Sequence, residues 1–230
     1  MAWIESLMTP ILTGLVLVWV ILGGKHLHKH EHFFYLIFGL LGVSLTMFAV
    51  FFQLDIIPRP DHLLYPILFQ GHLALAFYLL VMFAGAFKHK SKAKITLLRV
   101  RRELAVIGFF MVMPHATLLI IDALSALNPT GTIAVFLMVP LVITSFPIIR
   151  RKFSRDGWLG FHKWAYITYG LIFVHLVTIT VIAQTPPNNA YEELWWLRLL
   201  IYTSIFVVYL VLKFRNNALP KLKTKIFMKA

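Results

Sequence analysis

The sequence predicts an all-α fold: a polytopic membrane bundle of about seven transmembrane helices, with the N-terminus outside and the C-terminus inside. Three observations predict it. The 230 residues are 60% hydrophobic and only 13% charged, where a soluble domain averages about 45–50% and about 25%. Apolar segments of about 20 residues recur along the chain, the length that crosses the hydrocarbon core of a bilayer. The charges then fall in alternate loops: of 22 lysines and arginines, twenty lie on one side of the arrangement, which the positive-inside rule assigns to the cytoplasm. The same composition is too hydrophobic for a disordered chain. The absence of cysteine excludes a disulfide framework and a thiolate metal or iron–sulfur site.

The spans are expected at 6–24, 33–53, 65–87, 104–127, 131–149, 160–184 and 194–213. The first reads as a span rather than a signal peptide, because it lacks a basic leader and its apolar stretch is too long. Lys25 and Lys29 follow it on the inside, among the histidines His26, His28, His30 and His32. That alternating tract has metal-binding composition but offers no fixed cage, and it reads as a solvated inner loop. Arg59 lies in the next, outer loop with Asp55 and Asp61. The longest connection, 88–103, carries Lys88, Lys90, Lys92, Lys94, Arg99, Arg101 and Arg102 on the inside. Pro114 in the fourth span removes a backbone hydrogen bond and is expected to kink it. Arg150, Arg151, Lys152, Arg155 and Lys163 precede or open the sixth span. Arg198 opens the seventh, and a basic tail follows it. Trp195 and Trp196 suit an outer aromatic belt, and Trp158 and Trp164 an inner one. A net charge of +13 would also fit nucleic-acid binding. With its cations confined to short inner loops and no soluble module to do the reading, the chain is not expected to bind nucleic acid. No P-loop or GxGxxG pattern occurs, so no nucleotide unit is visible.

Ionisable groups inside spans mark function by default. His72, His115 and His175 sit within the third, fourth and sixth spans at similar expected depth, and His162 sits near the inner end of the sixth. Imidazoles from facing helices are natural axial ligands for haem iron, and helical bundles hold cofactors between such helices. Each histidine alternatively hydrogen-bonds to a neighbouring helix, a reading favoured for His72 alone and disfavoured for the His115/His175 pair. His162 and His175 are 13 residues apart, about 20 Å along a helix but about 140° apart around it. They share a face only if the helix bends or if His162 lies in an irregular first turn.

GHLALAFYLLVMFAGAF (71–87), RRELAVIGFFMVMPH (101–115), VPLVITSF (139–146) and WLGFHKWAYITYGLIFVHL (158–176) resemble the ferric reductase-like transmembrane domain family. Within it they are most similar to the MsrQ (YedZ) group of haem-binding membrane subunits, and more distantly to NADPH oxidases and ferric reductases. The resemblance covers about 65–213, and its most specific part is the WxxxHK…VH arrangement. It implies a six-helix core plus one extra N-terminal helix, divided along the chain into an N-terminal helix pair over 1–64, a haem-binding helical core over 65–213 and a basic cytoplasmic tail over 214–230. It implies that His115 and His175 ligate a b haem nearer the outside and that His162 ligates one nearer the inside. The position fourteen before His115, a histidine in the oxidases, is Arg101 here. The inner site therefore lacks its expected partner unless His89 substitutes, and it is expected to hold haem, quinone, flavin (FMN) or nothing. Arg198 and Arg59 stand where they could meet propionates of the outer haem, and Arg101 and Arg102 those of the inner one.

The expected function is a b-type haem membrane subunit, with one or two haems, rather than a complete enzyme. It would carry electrons from quinol or a cytosolic flavoprotein to an extracytoplasmic acceptor or partner reductase. The expected location is the plasma membrane, as a multi-pass protein of a bacterial inner membrane. The alternatives are a haem-free transporter or assembly subunit with structural or proton-carrying histidines, and a protein of cytochrome b561 type. The latter wants histidine pairs on four helices, where this chain has interior histidines on three.

Overall fold

The computed structural model describes residues 2–51, 64–123, 129–182 and 195–218, and all secondary structure among these is helical. In chain order the helices are α1 (Ala2–Lys29), α2 (Glu31–Phe51), α3 (Leu64–Leu68), α4 (His72–Ala84), α5 (Lys92–Arg99) and α6 (Arg101–Ala123). They continue with α7 (Pro129–Ile143), α8 (Pro147–Arg150), α9 (Arg155–Phe161), α10 (Trp164–Ile182) and α11 (Trp195–Lys213), and a π turn, Phe214–Ala218, closes the described chain. Four helical stretches are long and apolar enough to cross a membrane: Ser6–Lys29, Glu31–Phe51, Arg155–Val181 and Trp195–Asn216. The helices His72–Ala84 and Pro129–Ile143 are apolar but shorter. Helix α6 is long enough but begins on Arg101, Arg102 and Glu103.

Each expected apolar segment falls on helix, and the differences lie where backbone chemistry interrupts the apolar run. The third breaks at 69–71, where Gly71 takes a left-handed conformation (φ 79°) that costs other residues. The fifth stops at Ile143, and Pro147 starts α8 after a turn. The sixth is two helices. Ser154 caps α9 by accepting from the Gly157 amide, and the chain turns at His162 and Lys163 before α10. His162 therefore sits in an irregular turn, one of the two conditions under which it could face the same way as His175. The long 88–103 connection is also more ordered than a loop. Ser91 caps α5, a short helix with Lys92, Lys94 and Arg99 beside exposed Ile95 and Leu98.

Helix α4 is the centre of the bundle. Every residue from Ala74 to Met82 is buried, and α1 and α6 pack along it. Helix α2 packs on α6, and α7 pairs with α10, which in turn meets α11. The α2–α6 seam is very close. Pro114 lacks the amide that would bond the Phe110 carbonyl, and that oxygen lies against Gly42, where a Cβ would sit 2.3 Å from it. The outward faces of α1, α2 and α11 carry Leu15, Leu22, Leu40 and Leu210, each more than 60% exposed. A soluble exterior avoids such a continuous apolar surface, and a lipid-facing one requires it. The protein is thus an all-helical bundle with the surface of a membrane protein.

Candidate functional site: a histidine cavity and an arginine cavity

Two cavities lie between the helices. The first, of about 400 Å³, is lined by His72, His115, His175 and Arg198 together with Tyr65, Tyr78 and Tyr202, over a mainly apolar wall. The sequence placed these histidines on three spans, and the fold brings all three to one space. Arg59 lies outside the described residues.

Backbone features hold the two expected ligands. The His115 Nδ1 lies 2.9 Å from the carbonyl of Phe69. A carbonyl can only accept, so Nδ1 carries the proton and Nε2 keeps its lone pair. Phe69 provides this partner because it sits in the turn between α3 and α4. The same turn places Gly71 against the His115 ring, where a Cβ would lie 3.0 Å from Cδ2 and 3.4 Å from Nε2. On the opposite wall Gly131 of α7 lies against His175 of α10, where a Cβ would lie 2.7 Å from both Cε1 and Nδ1. Each ring is therefore seated on a glycine.

The His115 and His175 ring centroids are 6.2 Å apart, with 66° between the planes. An imidazole nitrogen binds a metal at about 2.0–2.1 Å and the ring centroid lies about 1.1 Å behind it, so two trans ligands on one ion have centroids about 6.3 Å apart. The observed spacing is close to that value. The third histidine is held differently. His72 Nδ1 lies 2.8 Å from Thr9 Oγ1, both side chains being buried, so α1 reaches into the cavity wall through a hydroxyl.

The second cavity, of about 660 Å³, is lined by Arg101, Arg102, Arg150 and Lys163, with His162, Trp158, Tyr166 and Tyr169. Among the described residues no carboxylate lines it. His162 Nε2 lies 3.1 Å from Thr144 Oγ1, which also reaches the Pro140 carbonyl at 2.8 Å. Trp158 donates to the Thr144 carbonyl at 3.0 Å and stacks on the His162 ring with centroids 4.0 Å apart. The Arg150 guanidinium lies over the Trp158 ring at 4.6 Å, and Arg101 lies beside Tyr169. No second histidine lines this cavity. His89 is exposed in the turn between α4 and α5 and does not reach it. Tyr78 and Met138 line both cavities and so form the wall between them. The Tyr78 hydroxyl is buried without a hydrogen-bond partner among the described residues.

Outside the cavities, His28, Glu31 and Glu103 bring ligand-type atoms within 4.8 Å of one another. His28 Nδ1 lies 2.9 Å from Glu103 Oε1, and Arg102 donates to both Glu31 and Glu103. The guanidinium already bridges both carboxylates, so the group is an ion-pair network joining α1, α2 and α6. His26 stacks on His30 nearby.

Sequence reasoning missed Thr9, Phe69, Gly71 and Gly131. Three had a faint signal: Thr9 is a polar residue in an apolar helix, and each glycine interrupts or opens an apolar run. The Phe69 partner is a backbone atom and had none.

Among known proteins, the chain is 34% identical over 95 residues to an uncharacterised protein of Treponema pallidum (strain Nichols), a stretch that is 40% of this chain and 24% of that one. The chain thus spans about a quarter of the length of that relative. No family model matches the chain, and no solved structure matches it.

Proposed function

We propose that the protein is a b-haem membrane subunit of the ferric reductase-like kind, carrying electrons between a donor at its basic face and an acceptor on the other side. The observation that carries this reading is the His115/His175 pair, 6.2 Å apart across a mainly apolar cavity. The residues fit the group. Two imidazoles on different helices line one cavity with ring centroids 6.2 Å apart, and one is oriented by a backbone carbonyl, as metal-binding histidines commonly are. The cavity of about 400 Å³ falls within the range of about 300–1,000 Å³ typical of cofactor sites.

When bound, the haem iron supplies one-electron chemistry. The protein supplies everything else. His115 and His175 would both hold the iron, which would favour electron transfer over oxygen binding. Arg198, which lines the cavity, would meet a propionate carboxylate through charge-assisted hydrogen bonds. The apolar wall excludes water and sets the local dielectric. His72, tied to Thr9, orders the cavity edge rather than adding a ligand.

This reading takes one haem, not two. His162 has its Nε2 engaged by Thr144 and has no histidine opposite it. Electrons are drawn from quinol or a cytosolic flavoprotein, with quinone or FMN as the carrier, and pass to an extracytoplasmic redox partner. The chain crosses a bacterial plasma membrane seven times, N-terminus out, on the strength of the loop-by-loop alternation of lysine and arginine. The haem-free alternative draws support from His72–Thr9 and His115–Phe69, which also serve as polar contacts between packed elements.

Reduced-minus-oxidised spectra of the detergent-purified protein separate the two. A b-type α-band, one haem per chain and loss of that signal in both His115→Ala and His175→Ala are expected, with His162→Ala retaining it. A protein without a Soret band refutes the haem reading. Survival of the band in both ligand variants refutes the ligand assignment. An N-terminal tag shielded from protease added outside refutes the topology.

A further inference from the structure

We infer that the arginine cavity is a binding site for the phosphate head group of an anionic phospholipid. Four cationic side chains line it and no carboxylate does. Arg102 is neutralised by Glu31 and Glu103. Arg101, Arg150 and Lys163 pair with no carboxylate among the described residues, so they converge on one space with their charge uncompensated. Converging cations repel one another, and an arrangement of this kind is stable when an anion sits among them. The tyrosine hydroxyls of Tyr166 and Tyr169 stand beside the cations in the same space, whereas Ser145 and Thr168 donate to the Leu141 and Trp164 carbonyls. Guanidinium and ammonium groups mixed with hydroxyls are the donor set that phosphate oxygens take.

The ligand is an amphiphile because the other half of the cavity is apolar. Leu141, Val142 and Met138 form its depth, and Leu98 and Leu159, each nearly half exposed, form its rim. A head group held by Arg101, Arg150 and Lys163 sends its acyl chains out across Leu98 and Leu159. Beside that exit lies α5, whose exposed Ile95 and Leu98 alternate with Lys92 and Lys94, the make-up of a helix lying in a membrane interface. Basic pockets between helices on the cytoplasmic side are known to take anionic lipid. A second haem is the competing occupant. It fails on the ligand count, since His162 is the sole histidine lining the cavity and its Nε2 is already bonded. The inference needs a lipid-embedded bundle but not the haem of the histidine cavity.

The test is native mass spectrometry of the delipidated full-length protein, titrated with phosphatidylglycerol or with phosphatidylcholine of identical acyl chains. One phosphatidylglycerol is expected to bind with marked preference over phosphatidylcholine. Each of Arg101→Gln, Arg150→Gln and Lys163→Gln should reduce that preference about fivefold, the effect of removing one cation near an anionic head group. The exposed control Lys25→Gln/Lys152→Gln, away from the cavity lining, should leave it unchanged. Lys163 is exposed, so its variant folds even where an arginine variant does not. Equal binding of the two lipids, or a preference that survives Lys163→Gln, overturns the inference. So does displacement of the bound lipid by excess inorganic phosphate, which would make the cavity a site for the free anion. The same samples report their haem spectrum independently, so failure here leaves the electron-transfer reading standing, and failure of that reading leaves this one standing.

Discussion

Replacing Gly131 with alanine tests the two-histidine site through a single methyl group. A Cβ built there lies 2.7 Å from Cε1 and from Nδ1 of His175. Non-bonded carbons settle at about 3.5–4.0 Å, so the ring and α7 must part by about 1 Å. Overpacking of this kind costs about 1–3 kcal/mol. The consequence for a ligand is sharper than the cost in stability. A metal–imidazole bond keeps its length to within about 0.2 Å, so the required displacement exceeds the tolerance several-fold. Gly131→Ala should therefore lose haem or convert the site to five-coordinate iron, while the helices remain intact by circular dichroism. Gly170→Ala on α10 is the matched control. Nothing lies within 4 Å of its Cβ, and alanine for glycine in a helix contributes about 0.5–1 kcal/mol. The assay is the reduced-minus-oxidised spectrum and the haem-to-protein ratio of both variants. Equal spectra and equal occupancy would show that His175 is not held where the bond requires it.

Gly42→Ala puts a Cβ 2.3 Å from the Phe110 carbonyl oxygen, a backbone atom that cannot move aside. It should lower the detergent-state melting temperature by the equivalent of about 3 kcal/mol, and an unchanged melting temperature would contradict the close α2–α6 seam. Thr9→Val strands the buried Nδ1 of His72 and should cost about 1–3 kcal/mol, with Thr9→Ser restoring most of it in the same melt. Glu103→Gln removes the charge that faces Arg102 and His28 from a side chain only 1% exposed. The loss of stability should be equal in low and high salt, because a buried pair is little screened; a strongly salt-dependent loss would mean that the pair is solvated. Tyr78→Phe deletes a buried hydroxyl that has no partner among the described residues. It should raise the melting temperature of ligand-stripped protein by the equivalent of about 1 kcal/mol, and a drop would reveal a partner in that state.

The helices were legible because apolar length is a property of the sequence itself. The third span shows where that legibility stops. Residues 65–87 read as one continuous run, and the break at 69–71 depends on one glycine whose φ no composition reveals. The sixth span shows the same limit from the other side. The angular conflict between His162 and His175 was visible in the spacing, and its resolution, a turn at His162, depends on the Ser154 cap and the short α9 that follows it. For the histidine cavity, side-chain chemistry pointed to His115 and His175, but what seats them is backbone: the Phe69 carbonyl and the bare Cα atoms of Gly71 and Gly131. These features depend on how α4, α6, α7 and α10 meet, which a single sequence does not state. His72 shows the reverse. It was set aside as a packing residue, and the fold puts it in the same cavity as the pair while giving it the helix-to-helix hydrogen bond expected of a packing residue.

The two cavities divide the chemistry between them. The histidine cavity has two imidazoles with ring centroids 6.2 Å apart and one lining arginine. The arginine cavity has four lining cations and a single, already bonded histidine. A neutral imidazole pair favours a metal and tolerates an apolar wall, whereas clustered cations oppose a metal ion and attract an anion. Charge alone thus argues against identical occupants, even though His162, in the turn before α10, and His175, within α10, are only 13 residues apart. The wall between the cavities is a tyrosine and a methionine, thin enough that an anion on one side lies within reach of the electrostatics of the other. Negative charge in the arginine cavity would stabilise the more positive, oxidised state of any iron between His115 and His175. It would lower that iron's reduction potential, and the basic lining would offset part of the effect. The cations gathered around the arginine cavity therefore also bear on the electrostatics of the histidine pair.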